Sequence, residues 1–198
     1  MTATTASADA RAPRLLVVRN DKLGDFMLAW PALAALKQAK PAPHVSVLVP
    51  DYTAPMARLC PWIDDVIIDP NEQAPKAAQR TLLATMRQGG FTAMLTLYST
   101  TRIGWLGLRS GIPLRMAPAT KWAQLFYNRR VTQRRSRSAK PEYIYNLELA
   151  EAMIRALGLS SEQPSQQCPA PPYWPLAPQV RDAQRSALGQ ALGLDETR

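Results

Sequence analysis

The chain has 198 residues, 46% hydrophobic content and a formal net charge of +9, enough apolar material for one well-cored domain plus tails. Two widely separated cysteines, Cys60 and Cys168, and a single histidine, His44, exclude a disulfide framework and argue against a zinc site. The longest apolar run, Phe26 to Leu36, contains a proline and falls short of the ~20 residues that a membrane-spanning helix needs, so a soluble, cytoplasmic protein is expected, touching the inner face of a membrane at most peripherally.

Residues 1–13 are rich in Ala, Thr and Ser but lack the continuous apolar core of a secretory signal, and predict a disordered tail. Leu15 to Val18 reads as a buried parallel strand. A charged turn follows, Arg19-Asn20-Asp21-Lys22-Leu23-Gly24-Asp25-Phe26, and then Phe26 to Leu36, apolar around most of its circumference, predicts a helix buried on the sheet. His44 to Val49 predicts a second strand ended by Pro50-Asp51, and Ala54 to Leu59 a short helix. Val66 to Asp69 predicts a third strand, and Lys76 to Gln88 a helix closed by Gly89-Gly90. Phe91 to Tyr98 predicts a fourth strand, whose end supplies Ser99 and Thr100 to the same carboxyl edge as Asn20 and Asp25. A helix is expected from Arg102 to Leu108, and Leu114 to Met116 is open to reading as a short strand. Trp122 to Tyr127 is an aromatic segment leading into Asn128-Arg129-Arg130, and Glu142 to Leu157 predicts a helix with Gly158 as its C-cap. The alternation makes residues 14–159 an α/β domain, a Rossmann-like open parallel sheet with helices on both faces. Residues 160–178 form a Pro-rich linker, and residues 179–198 hold a final amphipathic helix from Gln179 to Leu192.

Charge is unevenly placed. From Gln73 to Pro141 there is no Asp or Glu, while Lys76, Arg80, Arg87, Arg102, Arg109 and Arg115 and a later cluster through Arg137 are basic. Such a segment favours an anionic partner: nucleic acid, a phosphorylated glycolipid or an anionic membrane face. The turn after the first strand has one glycine, Gly24, so neither common nucleotide-binding loop is present. With His44 placed before a strand, no Ser/His/Asp set is credible. What remains is a carboxylate acting as general base, and Asp25 is best placed for it. The same carboxylate could instead cap the helix that starts there, and on the residues alone capping is the favoured account.

Arg19-Asn20-Asp21-Lys22-Leu23-Gly24-Asp25-Phe26 followed by Pro31-Ala32-Leu33 resembles the amino-terminal signature of glycosyltransferase family 9, which contains the lipopolysaccharide heptosyltransferases. Val45 to Val49, Trp62 to Ile67 and Leu125 to Arg129 extend the resemblance over Arg14 to Gly158. It implies the amino-terminal half of an inverting, metal-independent transferase of the GT-B type, in which two Rossmann-like domains face each other across a cleft. The first domain binds the acceptor and the second a nucleotide-sugar donor such as ADP-heptose, with no further cofactor. Under this resemblance Asp25 matches the catalytic aspartate that deprotonates the acceptor hydroxyl, and Gly24 lets the backbone turn tightly beside the acceptor. Arg19, Asn20, Lys22, Ser99 and Thr100 are candidate substrate contacts at the same edge. Arg129 is the best-matched contact for an anionic lipid A inner core, with Arg130, Arg134 and Arg135 beside it. Asn20-Asp21-Lys22 stands where the best-known members carry small hydroxyl residues, which leaves the donor sugar and the acceptor position open. The donor domain is expected to be missing from this chain, which by itself should not transfer sugar. The competing reading is a Rossmann-like polyanion- or nucleic-acid-binding module without catalysis, in which Trp122, Phe126 and Tyr127 stack bases.

Overall fold

Short apolar strands alternating with helices build one open sheet. The structure, a computed structural model, describes residues 12–119, 122–133, 140–161 and 177–193. Strands β1 (Arg14–Val18), β2 (His44–Pro50), β3 (Asp65–Asp69), β4 (Ala93–Thr96), β5 (Leu114–Pro118) and β6 (Arg129–Val131) pair in parallel in the order β3-β2-β1-β4-β5-β6. β1 is central, Val17 standing opposite Val47 on one side and Leu95 on the other. Its run of buried Leu and Val is what a strand covered on both faces requires.

The helices are α1 (Leu23–Met27), α2 (Trp30–Gln38), α3 (Ala54–Leu59), α4 (Lys76–Gln88), α5 (Thr101–Arg109), α6 (Glu142–Ala156) and α7 (Pro178–Leu192). Strand alternation sends Leu15 and Val17 to one face, where Phe26, Trp30, Leu33 and Leu36 of α1 and α2 meet Leu149 and Met153 of α6. Leu16, Val18 and Met94 point the other way, onto Leu82 and Met86 of α4 and Ile103 and Leu106 of α5. α5 also packs against the 3-10 turn Trp122–Phe126. A glycine is needed at that crossing, because a Cβ on Gly104 would stand 2.8 Å from Cβ of Phe126.

Several boundaries differ from expectation for identifiable reasons. The single helix expected over Phe26 to Leu36 is two, α1 and α2, broken at Leu28-Ala29. Pro31 has no N–H to continue the ladder and opens α2 instead. β4 is shorter than expected, although the N–H of Leu97 still bonds the carbonyl of Val18 at 3.0 Å. β6 carries two arginines in three residues, so its strand character is hidden by charge, yet Met116 pairs with Arg129 and Pro118 with Val131. Gly158 is in the left-handed region at φ 66° and ends α6 with the N–H of Leu159 bonded to the carbonyl of Ile154 at 3.0 Å, a Schellman closure. Ser160 turns back to pair antiparallel with Lys40, so the domain extends to the residue at which the linker was expected to begin. Residues 1–11 of the expected tail and 162–176 of the expected linker lie outside the described residues.

Candidate active site

In this strand order the chain leaves β1 for β2 on one side and later returns to β4 on the other. The crevice outside the carboxyl ends of β1 and β4 is therefore the topological switch point, the place where open α/β sheets bind ligands. The signature turn occupies it. Arg19, next in alternation after Leu15 and Val17, points toward α6 and is buried, its side chain 4% exposed. Its Nε donates to Oδ1 of Asp21 at 2.8 Å. Its Nη1 donates to Oε1 of Glu142 at 3.1 Å and to Oδ1 of Asn146 at 3.4 Å, and its Nη2 pairs with Oδ1 of Asp25 at 3.4 Å. The fixed fork of a guanidinium suits it to hold several acceptors at once, and a buried charge requires them. Arg19 is thus committed within the chain, as a tie between the turn and α6, and does not present its donors to a ligand as expected. Asn146, fully buried, also donates through Nδ2 to the carbonyl of Leu28 at 3.1 Å, satisfying a carbonyl freed by the α1–α2 break.

Asp25 lies in the first turn of α1, but the N-cap is Lys22 and carries no side-chain cap bond. Asp25 therefore complements the dipole of α1 from its first turn, but the cap bond expected of it is not observed. Its carboxylate is 35% exposed, anchored on one side by Arg19 and open to solvent on the other. Burial raises the proton affinity of Asp21 above the usual carboxylate range; Arg19 opposes the shift and the charge of Asp25 adds to it. Gly24 has no positive φ and sits inside α1, so the tight turn expected of it is absent; a Cβ there would meet nothing within 4 Å. Lys22 is exposed, and its ammonium has no partner among the described residues. Tyr52, in the 3-10 turn Asp51–Thr53, donates its hydroxyl to the carbonyl of Asp21.

Asn20 alternates to the opposite face and belongs to a second network. Its Nδ2 donates to Oδ2 of Asp69 at 2.6 Å. Asp69, at the end of β3, also takes Nη2 of Arg102 at 2.6 Å and the N–H of Asn71 at 3.0 Å. Arg102 reaches Oε1 of Gln79 at 2.9 Å. Sequence reasoning missed this pair, though a signal existed. A cation in the first turn of a helix opposes the helix dipole, so Arg102 in α5 calls for a carboxylate nearby. Thr100 caps α5, its Oγ1 accepting from the N–H of Ile103 at 3.3 Å, and Ser99 beside it is half-buried. Arg129 and Arg130 are exposed on β6, three strand spacings from β1, about 14 Å along the sheet. The fold therefore does not bring them against Asp25. Arg134 and Arg135 lie outside the described residues.

Part of the basic excess is structural. Arg87 donates to the carbonyl of Arg109 and Arg115 to that of Phe126. Tyr127 is 3% exposed and Phe126 is half-buried, so neither offers a face for stacking bases; burial pushes the Tyr127 phenol up to about 12, offset in part by the Thr96 hydroxyl. Among the described residues no group of three His, Cys, Asp or Glu could hold a metal ion, and no helix is long and apolar enough to cross a membrane.

The six-stranded parallel sheet with helices on both faces is the fold of the amino-terminal half of a GT-B glycosyltransferase. No family model matches the chain. A curated Haemophilus influenzae protein, described as a "Putative glycosyltransferase", is 43% identical over 181 residues, which make up 91% of this chain and 51% of that protein. The chain spans about half the length of this relative. Solved structures with the same fold are family 9 heptosyltransferases or their relatives. Escherichia coli heptosyltransferase WaaC with ADP-2-deoxy-2-fluoro heptose aligns at TM-score 0.63 and 19% identity over 78% of this chain and 51% of that one. A glycosyl transferase family 9 protein of Veillonella parvula aligns at TM-score 0.68 and 17% identity, over 93% and 51%. Escherichia coli ADP-heptose lps heptosyltransferase II aligns at TM-score 0.65 and 19% identity, over 93% and 52%. The resemblance carried by the signature turn thus coincides with the fold and with a homologue at substantial identity.

Proposed function

We propose that this chain supplies the acceptor side of an inverting, metal-independent sugar transfer, from ADP-heptose or a related nucleotide-sugar to a lipopolysaccharide core acceptor. Asp25 is the general base. The observation that carries the reading is the Asp25 carboxylate, held by buried Arg19 at the switch-point edge and 35% exposed. An acceptor hydroxyl donates to Asp25, and its oxygen attacks the anomeric carbon from the face opposite the nucleotide. As the new C–O bond forms, the proton passes to Asp25, the anomeric C–O bond to the diphosphate breaks, and the nucleoside diphosphate departs with the bonding pair. General-base assistance of this kind is worth roughly 10²–10⁴-fold. The donor is assigned to the portion of the relatives that this chain does not span, because the chain aligns with about half of each. Lys22, exposed in the signature turn and without a partner among the described residues, and the exposed Arg129 and Arg130 give the surface a cationic character suited to phosphates and carboxylates of an inner core, and to an anionic membrane face that presents it.

The test joins this chain to the remaining half of the Haemophilus influenzae relative and measures ADP release with a lipid A inner-core acceptor. Asp25→Asn should lower kcat by roughly 10²–10⁴-fold and leave acceptor KM within about threefold. Full activity in Asp25→Asn would remove the base assignment.

A further inference from the structure

The turn that follows β2 presents an aromatic ring whose exposure its own packing does not explain. Thr53 and Ala54 are buried at 0% and 1%, while Tyr52 beside them is 61% exposed. The turn packs against α1, and the Tyr52 hydroxyl donates to the Asp21 carbonyl. The ring therefore follows from a segment whose next two residues are buried and is tied by its hydroxyl to the turn that carries Asp25. A chain of contacts joins the two: Tyr52 to Asp21, Asp21 to Arg19 at 2.8 Å, Arg19 to Asp25 at 3.4 Å. Gly24, next to Asp25 in α1, carries no side chain, and a Cβ there would meet nothing within 4 Å. The exposed ring and the anchored carboxylate are thus joined through one short relay of contacts in the signature turn.

We infer that Tyr52 is a stacking platform for a pyranose ring of the acceptor, which lies on the tyrosine with the reacting hydroxyl turned to Asp25. The inference rests on the acceptor-side reading above and adds to it the residue that grips the sugar. A pyranose has a face of C–H bonds polarised positive, which complements the negative face of an aromatic quadrupole, and its hydroxyls radiate from the rim, where a carboxylate can take one of them. A tyrosine offers this surface at low entropic cost, having two side-chain torsions, and here the hydroxyl bond already fixes them. The exposed Lys22, which follows Asp21 in the same turn, is a donor for a phosphate or carboxylate on that sugar, while Arg19 is buried and committed to Asp21, Asp25, Glu142 and Asn146.

The experiment titrates the full 198-residue chain with lipid-free inner-core oligosaccharide by calorimetry, comparing wild type with Tyr52→Ala, Tyr52→Phe and Trp105→Ala. Tyr52→Ala should weaken binding roughly three- to tenfold, the range of a single aromatic stacking contact. Tyr52→Phe, which keeps the ring, should stay within about twofold of wild type. Trp105 is comparably placed as an exposed aromatic, 44% exposed on α5, but α5 covers the opposite face of the sheet, and Trp105→Ala should bind as wild type does. Saturation of the tyrosine ring protons should transfer to sugar C–H protons in wild type and lose that transfer in Tyr52→Ala. Equal affinity of wild type and Tyr52→Ala, or an equal loss in Tyr52→Phe and Tyr52→Ala, would overturn the platform while leaving the acceptor-side reading standing. Absence of binding by wild type would overturn both.

Discussion

Gly24 and Asp25 are neighbours in a helix of five residues, and they answer to different constraints. Asp25 is held from inside by Arg19; at Gly24 a Cβ would meet nothing within 4 Å among the described residues. Glycine in a helix costs about 1 kcal/mol relative to alanine, so its presence here is unexplained by the domain's own stability. Gly24→Ala should therefore raise stability in urea by ~0.5–1 kcal/mol and, if an acceptor approaches the backbone at this point, weaken oligosaccharide binding by roughly tenfold through overpacking. A stabilised variant with unchanged binding would mean that no ligand comes near Gly24. Asp25 was legible in the sequence because its position after a strand is local information. The partners of Arg19 were not, because Glu142 and Asn146 are separated from it by 123 and 127 positions. Asn146 did leave a trace: it is an amide in a helix whose neighbours Tyr145, Leu147 and Leu149 are buried, and a polar group on such a face must find acceptors and donors inside.

At the scale of elements, α6 does more than cover the sheet. It packs along α2, and its first two turns reach the signature turn through Glu142 and Asn146. The break between α1 and α2 exists because Pro31 cannot extend α1, and Asn146 supplies the donor that the break leaves wanting. Asn146→Leu fills the same volume without the amide and leaves the Leu28 carbonyl unpaired. It should cost about 1–3 kcal/mol in urea unfolding and increase amide exchange across residues 20–28, whereas a stability within ~0.5 kcal/mol of wild type would show that water replaces the amide. The helices α3 and α4 stand within the bounds their periodicity predicts, Ala54–Leu59 and Lys76–Gln88, because proline and glycine punctuation is written locally. The helix broken at Leu28 and the strand β6 were less legible: the first because apolar runs conceal a break, the second because pairing to β5, not propensity, makes it a strand.

For the molecule as a whole, the strand order decides where chemistry can sit. Reversal of the winding at β1 and β4 makes the carboxyl ends of these strands the switch point, and the turn bearing Asp25 follows directly from β1 there. The acid-free segment reads in sequence as a single cationic feature, but the fold divides it. Some of its arginines hold carbonyls within the domain, and Arg129 and Arg130 lie on the far edge strand. Its role in the proposed function is accordingly a diffuse field rather than a set of contacts on one sugar. Since the chain spans about half the length of its relatives, the purified 198-residue chain is expected to bind acceptor oligosaccharide and to leave ADP-heptose intact, as measured by ADP release. Turnover by this chain alone, abolished in Asp25→Ala, would place donor binding within it.

The tie between Arg19 and α6 also sets an order of events during synthesis. β1 through β5 can pair and bury apolar side chains while the guanidinium of Arg19 still lacks Glu142 and Asn146. At elongation rates of about 5–20 residues per second the 123 positions that separate Arg19 from Glu142 take about 6–25 s to translate. The guanidinium that holds the Asp25 carboxylate is thus among the last groups of the domain to acquire all its partners, and a nascent chain halted before residue 142 would hold Arg19 through Asp21 and Asp25 alone, without the tie to α6.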